Sequence, residues 1–252
     1  MLDNKQLAVS MVDADKIIVK DPKKYEEMVF FELNELQKQK DNFEDKTKKR
    51  IGASEIGTSC ERALYYSFNK FPKNENSSRL IRLFNRGKLE EARIFAYLKL
   101  MGLNPLATDE EYRQFYFEDF NGAFSGHCDG KIKLSDNEEI LLEMKTMNDK
   151  SYLETTRSGV FISKPQYYSQ VQVYMGYLNL QQTLFVAVNK NTDDIYFQLI
   201  SFDKLHFEGL KSKAQRIIEC EDIDTLFRDS KLPSYFKCKW CAYNNVCYKK
   251  GV

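Results

Sequence analysis

Two groups of side chains have the types and spacing to do chemistry. The first lies near the end of the chain, where KCKWCAYNNVC places Cys238, Cys241 and Cys247 as C-x2-C-x5-C. Thiolates at such intervals hold zinc or an iron–sulfur cluster. Three ligands call for a fourth, and Cys60 in TSCERALYY, at the start of an expected helix, is the candidate. On these residues alone zinc and iron–sulfur both stay open, although the second C-x2-C knuckle usual in zinc sites is missing. Cys128 and Cys220 are left over and read as small apolar residues.

The second group is acidic. In RLIRLFNRGKLEEARIFAYLKLMG, a step of about 100° per residue puts Leu80, Phe84, Glu91, Phe95 and Leu98 on one face. Glu91 thus interrupts an apolar stripe, where a carboxylate is costly unless it is paired or bound to a cation. A buried pair with a nearby arginine is the alternative, and Glu90, on the flank, is expected to be solvated. In FSGHCDGKIKL, alternation sends Cys128, Gly130, Ile132 and Leu134 to one face and Asp129, Lys131 and Lys133 to the other. In EEILLEMKTMN, Ile140, Leu142 and Met144 take the core face, and Glu143 and Lys145 share the opposite face with Leu141. A hairpin of these strands would bring Asp129 to Glu143 and Lys145. Two or three carboxylates hold Mg²⁺ or Mn²⁺, which acidify water and offset charge on a phosphoryl oxygen. A lysine beside them positions water or neutralises charge. A cross-strand salt bridge is the plain alternative. On KPQYYSQVQVYMGYL, Gln170 and Tyr174 lie four apart on one helix face, with Gln166 and Tyr177 nearby. His127, beside Asp129, reads as structural.

The elements that must position these groups follow from pattern and punctuation. Residues 21–49 read as a charged helix, 54–68 as a turn and short helix, 72–78 as a loop and 79–101 as a long helix. Strands are expected at 111–118, 124–134 and 138–146, and helices at 148–158 and 165–180. A hairpin of 183–189 with 194–201 and a helix at 203–219 precede the cysteine segment. This order predicts an α/β layer fold with a mixed sheet flanked by helices.

Composition narrows the classes. Net charge is +1, so no global basic field announces nucleic acid, and no apolar run reaches the length of a membrane span. The start of the chain lacks a signal-peptide core, so a cytoplasmic setting is expected. The last 22 residues hold Lys231, Lys237, Lys239, Lys249 and Lys250 and no acid, interleaved with Tyr235, Phe236, Trp240, Tyr243 and Tyr248. Such a segment suits single-stranded nucleic acid, with lysines on phosphates and rings on bases. A solvated tail whose rings pack on the domain is the alternative.

The series RGKLEEAR, SGHCDGK, LLEMKT and QVQVY resembles the RecB-type branch of the PD-(D/E)XK nucleases, which includes lambda-type phage exonucleases and CRISPR-associated exonucleases. The resemblance covers roughly residues 52–250. It implies a restriction-endonuclease-like mixed sheet and a DNA exonuclease using Mg²⁺ or Mn²⁺. Glu91, Asp129 and Glu143 would match the metal-binding acids, Glu143 and Lys145 the (D/E)-x-K pair, and Gln170 with Tyr174 the Q-x-x-x-Y motif. CRISPR-associated members more often carry histidine where Glu91 stands, so the wording is nearer the phage type. It also favours a 4Fe–4S cluster on Cys60, Cys238, Cys241 and Cys247 over zinc. The implied organisation is a helical extension at 1–50, a nuclease core at 51–230 and a cysteine segment at 231–252 packed through Cys60. DNA is the expected substrate and a helicase or recombinase an expected partner. A structure-specific endonuclease, a non-catalytic nucleic-acid-binding module and a zinc-stapled structural protein are the competing readings.

Overall fold

The computed structural model describes residues 49–72, 78–135 and 137–248. The chain divides into two compact units, one of residues 1–46 with 76–82 and one of residues 47–75 with 83–252. The helix expected at 21–49 lies outside the described residues except at its last position, as do all but the two ends of the loop at 72–78.

In chain order the elements are β1 (Ile51–Gly52), α1 (Ala53–Ile56), α2 (Glu61–Phe68), α3 (Ser78–Leu100), β2 (Asn104–Leu106), β3 (Tyr116–Asp119), β4 (Phe124–His127), β5 (Gly130–Ser135) and β6 (Glu138–Met147). Then come α4 (Asp149–Ser163), α5 (Pro165–Leu178), β7 (Gln182–Asn189), β8 (Ile195–Ser201), α6 (Lys204–Ile218), a 3-10 turn (Ile223–Thr225), α7 (Phe236–Lys239) and α8 (Asn244–Tyr248). They form the expected mixed α/β fold, with two mixed sheets. The larger has the order β2-β5-β6-β7-β8, in which only β6 and β7 run parallel. The smaller has the order β1-β4-β3, with β1 parallel to β4.

Helix and strand boundaries follow local chemistry. Asn148 caps α4 by accepting from Ser151 N, Pro165 opens α5 at its first turn, and Asp203 caps α6 by accepting from His206 N. Three expectations are corrected. The strand at 111–118 starts only at Tyr116, because Asp109 accepts the N–H groups of Glu111 and Arg113 and folds the stretch before it into a turn. The single strand at 124–134 is two strands in different sheets, broken at Cys128 and Asp129. β2 follows the helix read at 79–101, in a stretch where no strand was expected.

β6 is covered on both faces. Ile140, Leu142 and Met144 pack with Ile94 and Leu98 of α3 and with Val186 and Val188 of β7. Leu141 points into the main core with Val171, Val173, Tyr174 and Met175 of α5 and Phe185 of β7. The apolar stripe expected on α3 is corrected at its N-terminal part. Phe84 is 54% exposed, Leu80 lies outside the described side chains, and among the described ones burial is confined to the half of the helix around Ile94 and Leu98 that lies on the sheet. Among the described residues no helix is long and apolar enough to cross a membrane.

α5 is held close to α6 at Gly176, where an added Cβ would stand 2.5 Å from the Phe207 ring. Phe207 itself is buried, so the ring has little room to yield. Gly176→Ala is therefore expected to destabilise the fold by about 1–3 kcal/mol, despite alanine's better helix propensity, measured by chemical denaturation.

Candidate active site

The break between β4 and β5 makes the site. Gly130 pairs with Leu142 in the antiparallel β5–β6 ladder, so Asp129, one residue earlier, comes level with Glu143. Asp129 lies outside both strands, and its Oδ2 accepts the Met144 N–H at 2.7 Å. The carboxylate thus takes up a donor of the central strand at the point where backbone pairing stops. Tyr174 locks the same break from α5, its hydroxyl donating to the His127 carbonyl at 2.6 Å. The hairpin therefore brings Asp129 to Glu143 and Lys145 as the alternation implied.

Glu91 arrives from α3. A Cβ on Gly130 would meet the Phe95 ring at 2.8 Å and the Leu106 carbonyl at 2.6 Å, so helix and strand touch here. Glu91 lies one turn before Phe95 on the same helix face. Burial raises its pKa, and the Asp129 charge raises it further while Lys145 opposes. Those influences show the three groups sharing one field. Glu90 corrects an expectation. It is not solvated but pairs with Arg93 at 2.7 Å, its side chain only 15% exposed. The arginine-paired acid of this helix is therefore Glu90, not Glu91.

Glu143 is 0% exposed. One of its oxygens, Oε1, is clasped by Lys145 Nζ, and the other, Oε2, is buried with no hydrogen-bond partner among the described residues. Burial and then the Asp129 charge push its carboxyl up to about 8. Burial alone would lower Lys145, but Glu143 and Asp129 outweigh it, and the net direction is up. Lys145 therefore stays an ammonium at neutral pH.

Gln170 and Tyr174 are buried on the face of α5 that meets the site, and the Tyr174 pKa is raised by burial and by the Glu143 charge. The other two polar residues expected nearby are engaged elsewhere. Gln166 donates to the Ser54 carbonyl at 2.7 Å, and the Tyr177 hydroxyl donates to Asp119 Oδ2 at 2.7 Å. His127 packs against the Tyr116 ring at 4.6 Å, in keeping with a structural part. Sequence reasoning missed Tyr167, whose ring lies 5.5 Å from Lys145 Nζ. Its signal was available, since Tyr167, Gln170 and Tyr174 stand at i, i+3 and i+7 on one helix face.

The four cysteines also converge. Cys60 is the N-cap residue of α2. Together with Cys238 and Cys241 it lines a cavity of about 550 Å³, which also takes in Lys164, Gln166, Tyr167 and Lys237. After burial, the Cys241 thiol is pushed up by the charges of Cys60, Cys247 and Cys238. None of the four is in a disulfide. The segment is tied down without help from sulfur as well. The buried Glu61 accepts the Phe227 N–H at 3.0 Å and pairs with Arg216, and the Tyr66 and Tyr243 rings meet at 5.8 Å. Of the basic-aromatic tail, Tyr243 is buried and Trp240 is 82% exposed. The two leftover cysteines behave as expected. Cys128 is buried and Cys220 packs on the main core.

Among the described residues, no three Cys, His, Asp or Glu side chains are gathered closely enough to hold a metal ion. The fit to metals is thus one of donor chemistry and room. At the acidic site the unpartnered oxygen of Glu143 is what a divalent cation would satisfy, and Mg²⁺ sites typically draw only one or two carboxylates from the protein. At the thiol site the donors suit zinc or a cluster, and the cavity beside three of them leaves space.

The fold can now be compared. LHK-Exo, an alkaline exonuclease of Laribacter hongkongensis solved in complex with dAMP, superposes with a TM-score of 0.51 at 17% identity, over 68% of this chain and 87% of that one. The chain shares its fold with this exonuclease. A second solved structure, SSO0001, matches with a TM-score of 0.54 at 13% identity, over 91% of this chain and 98% of its own. At these identities the likeness is one of fold. No protein-family model matches the chain, and no curated protein matches its sequence.

The Glu143 carboxyl yields a pH test. Below its raised pKa it carries a proton, and as pH climbs it becomes a carboxylate able to take a cation. Mn²⁺ affinity, measured by equilibrium titration, is expected to rise from about pH 6 to about pH 9. The Glu143→Gln protein is expected to bind weakly with a flatter profile. Equal affinity across that range in the wild-type chain would contradict the assignment.

Proposed function

We propose that this chain is a DNA exonuclease that hydrolyses phosphodiester bonds with Mg²⁺ or Mn²⁺. The observation that carries the reading is the buried Glu143, one oxygen on Lys145 and the other unpartnered, with Asp129 and Glu91 in the same field. An orphaned buried carboxylate oxygen is costly, and a bound cation would offset that cost where a plain salt bridge to Lys145 leaves it standing. The exonuclease fold supports the same reading.

A divalent cation held by Asp129, Glu143 and Glu91 would supply Lewis acidity to water and to the phosphoryl group. The chain's own groups do the rest. Lys145, held charged, donates toward the reacting oxygens and offsets negative charge there. Tyr167 walls the ammonium on one side, and Glu143 fixes it from another. Tyr174 keeps α5 against the break that presents Asp129, and the buried Gln170, hydrogen-bonded to Tyr174, steadies it there. In the reaction the oxygen of water bonds to phosphorus, the bridging P–O bond breaks, water gives up a proton and the leaving oxygen takes one.

Residues 51–230 form the nuclease core in this reading, and residues 231–252 a segment held to it through a 4Fe–4S cluster on Cys60, Cys238, Cys241 and Cys247. Zinc is the alternative occupant. The cavity that the cysteines share with Tyr167, whose ring also lies near Lys145, supports this reading, and exposed Trp240 and Phe236 suit contact with an unpaired strand. Duplex ends and single strands are both candidate substrates, and a helicase or recombinase a candidate partner. A structure-specific endonuclease would use the same acidic site, and the pattern of products separates the two.

The test is cleavage of end-labelled single- and double-stranded DNA with Mg²⁺, Mn²⁺ or EDTA. Cleavage is expected only with metal, and Lys145→Ala and Asp129→Ala are each expected to lower kcat by about 10²–10³-fold or more. Folded variants that cleave at the wild-type rate would sink the assignment. No cleavage by the wild-type chain with either metal would favour a binding module.

A further inference from the structure

The face of α3 that carries Glu91 extends past it in both directions. At about 100° per residue, Phe84, Gly87 and Lys88 all fall within about 60° of Glu91 around the helix. Lys88 stands one turn before the acid and Phe84 two turns before it, about 10 Å along the helix axis. Beyond Glu91 the face turns inward, with Phe95 against Gly130 and Leu98 buried. Before Glu91 it is open. Phe84 is 54% exposed, Lys88 is exposed, and a Cβ on Gly87 would meet nothing within 4 Å.

The arginines of this stretch are turned away from that face and engaged. Arg86 donates to the Lys190 carbonyl at 2.9 Å, and Arg93 pairs with Glu90 at 2.7 Å. Lys88 stays on the Glu91 side, where its charge works against the rise in the Glu91 pKa. Gly87 weakens the helix turn in which it sits, and Phe84 gains little from burial where it stands. Neither residue serves the fold. Together with Lys88 they suit a nucleic-acid strand running along the helix, with room at the glycine for close approach, a cation for phosphate and a ring for a base.

We propose that the open face of α3 carries the substrate strand beside the acidic site, with Lys88 on a phosphate next to the scissile one, Phe84 stacked on a base beyond it and Gly87 leaving the space through which the strand passes. This rests on reading Glu91, Asp129, Glu143 and Lys145 as a nuclease site, and it names the form of substrate that site takes. A ring takes the face of a base only where the base has left its own stack, so the DNA along α3 is an unpaired strand. Its negative backbone meets a cation one turn from the acids that would hold the divalent metal, which continues the charge pattern of the site outward.

The residues concerned lie outside the packed part of α3, so substitutions here spare the core. The measurement is kcat and KM with Mg²⁺ on an end-labelled single-stranded oligonucleotide, over a series of NaCl concentrations. Phe84→Ala is expected to raise KM about 5–100-fold with kcat nearly unchanged, and Phe84→Trp to restore it. Lys88→Ala removes one phosphate contact, so the slope of log(kcat/KM) against log[NaCl] should become shallower by about 0.7. Gly87→Leu should melt at or above the wild-type temperature, because the position has room for a side chain and glycine disfavours helix, yet raise KM at least as much as Phe84→Ala does. A part played only in folding would move the melting temperature and leave the salt slope alone.

A wild-type KM in Phe84→Ala or in Gly87→Leu, or a wild-type salt slope in Lys88→Ala, overturns the inference while the nuclease reading stands. A wild-type chain that leaves this oligonucleotide intact with both Mg²⁺ and Mn²⁺ overturns the inference together with the reading beneath it, a failure visible before any variant is compared.

Discussion

The structure turns on a buried carboxylate paired with a partly exposed ammonium on the central strand of its larger sheet. Removing the charges of Glu143 and Lys145 from water is costly, and their mutual attraction recovers it only with good geometry and further polar partners. Much of the surrounding architecture serves that need. Strand β6 is walled by α3 on one face and α5 on the other, so Glu143 is shut off from solvent while Lys145 keeps part of its side chain exposed. Asp129 and Glu91 raise the local negative charge still further, which keeps Lys145 protonated and leaves Glu143 reluctant to ionise. Such an arrangement is strained as a salt bridge and well suited to receiving a cation.

The second constraint is the broken strand. A continuous strand from 124 to 134 would have spent the Met144 N–H on backbone pairing. The switch from one sheet to the other at Cys128 and Asp129 frees that donor for the Asp129 carboxylate and turns the side chain toward Glu143. Tyr174 closes the switch from α5, and the tight seam at Gly176 fixes α5 in turn. The acidic site is thus assembled from four separate elements, each locked by a short-range contact that is not itself chemical.

The acidic residues were legible because their spacing is local. Glu143 and Lys145 share a face through the period of a strand, and Gln170 and Tyr174 through the turn of a helix. The elements holding them were legible too, apart from the short β2 and the late start of β3. The break at Asp129 was not, because alternation continues smoothly across FSGHCDGKIKL and only tertiary pairing decides which sheet each half joins. The apolar stripe singled out Glu91 from Glu90, but the ion pair of Glu90 with Arg93 was not legible, since it depends on where α3 leaves the sheet. Cys60 was found from a single residue at a helix start, and its approach to cysteines nearly 180 positions later depends on contacts that no local pattern encodes, chiefly Glu61 with Phe227 and Tyr66 with Tyr243.

The central claim is that the unpartnered oxygen of Glu143 awaits a divalent cation shared with Asp129. Anomalous diffraction from crystals of the protein grown with Mn²⁺ tests it most directly. The account predicts a manganese peak touching both carboxylates, with Lys145 still beside Glu143. Manganese bound elsewhere, with Glu143 engaged by Lys145 alone, would contradict it.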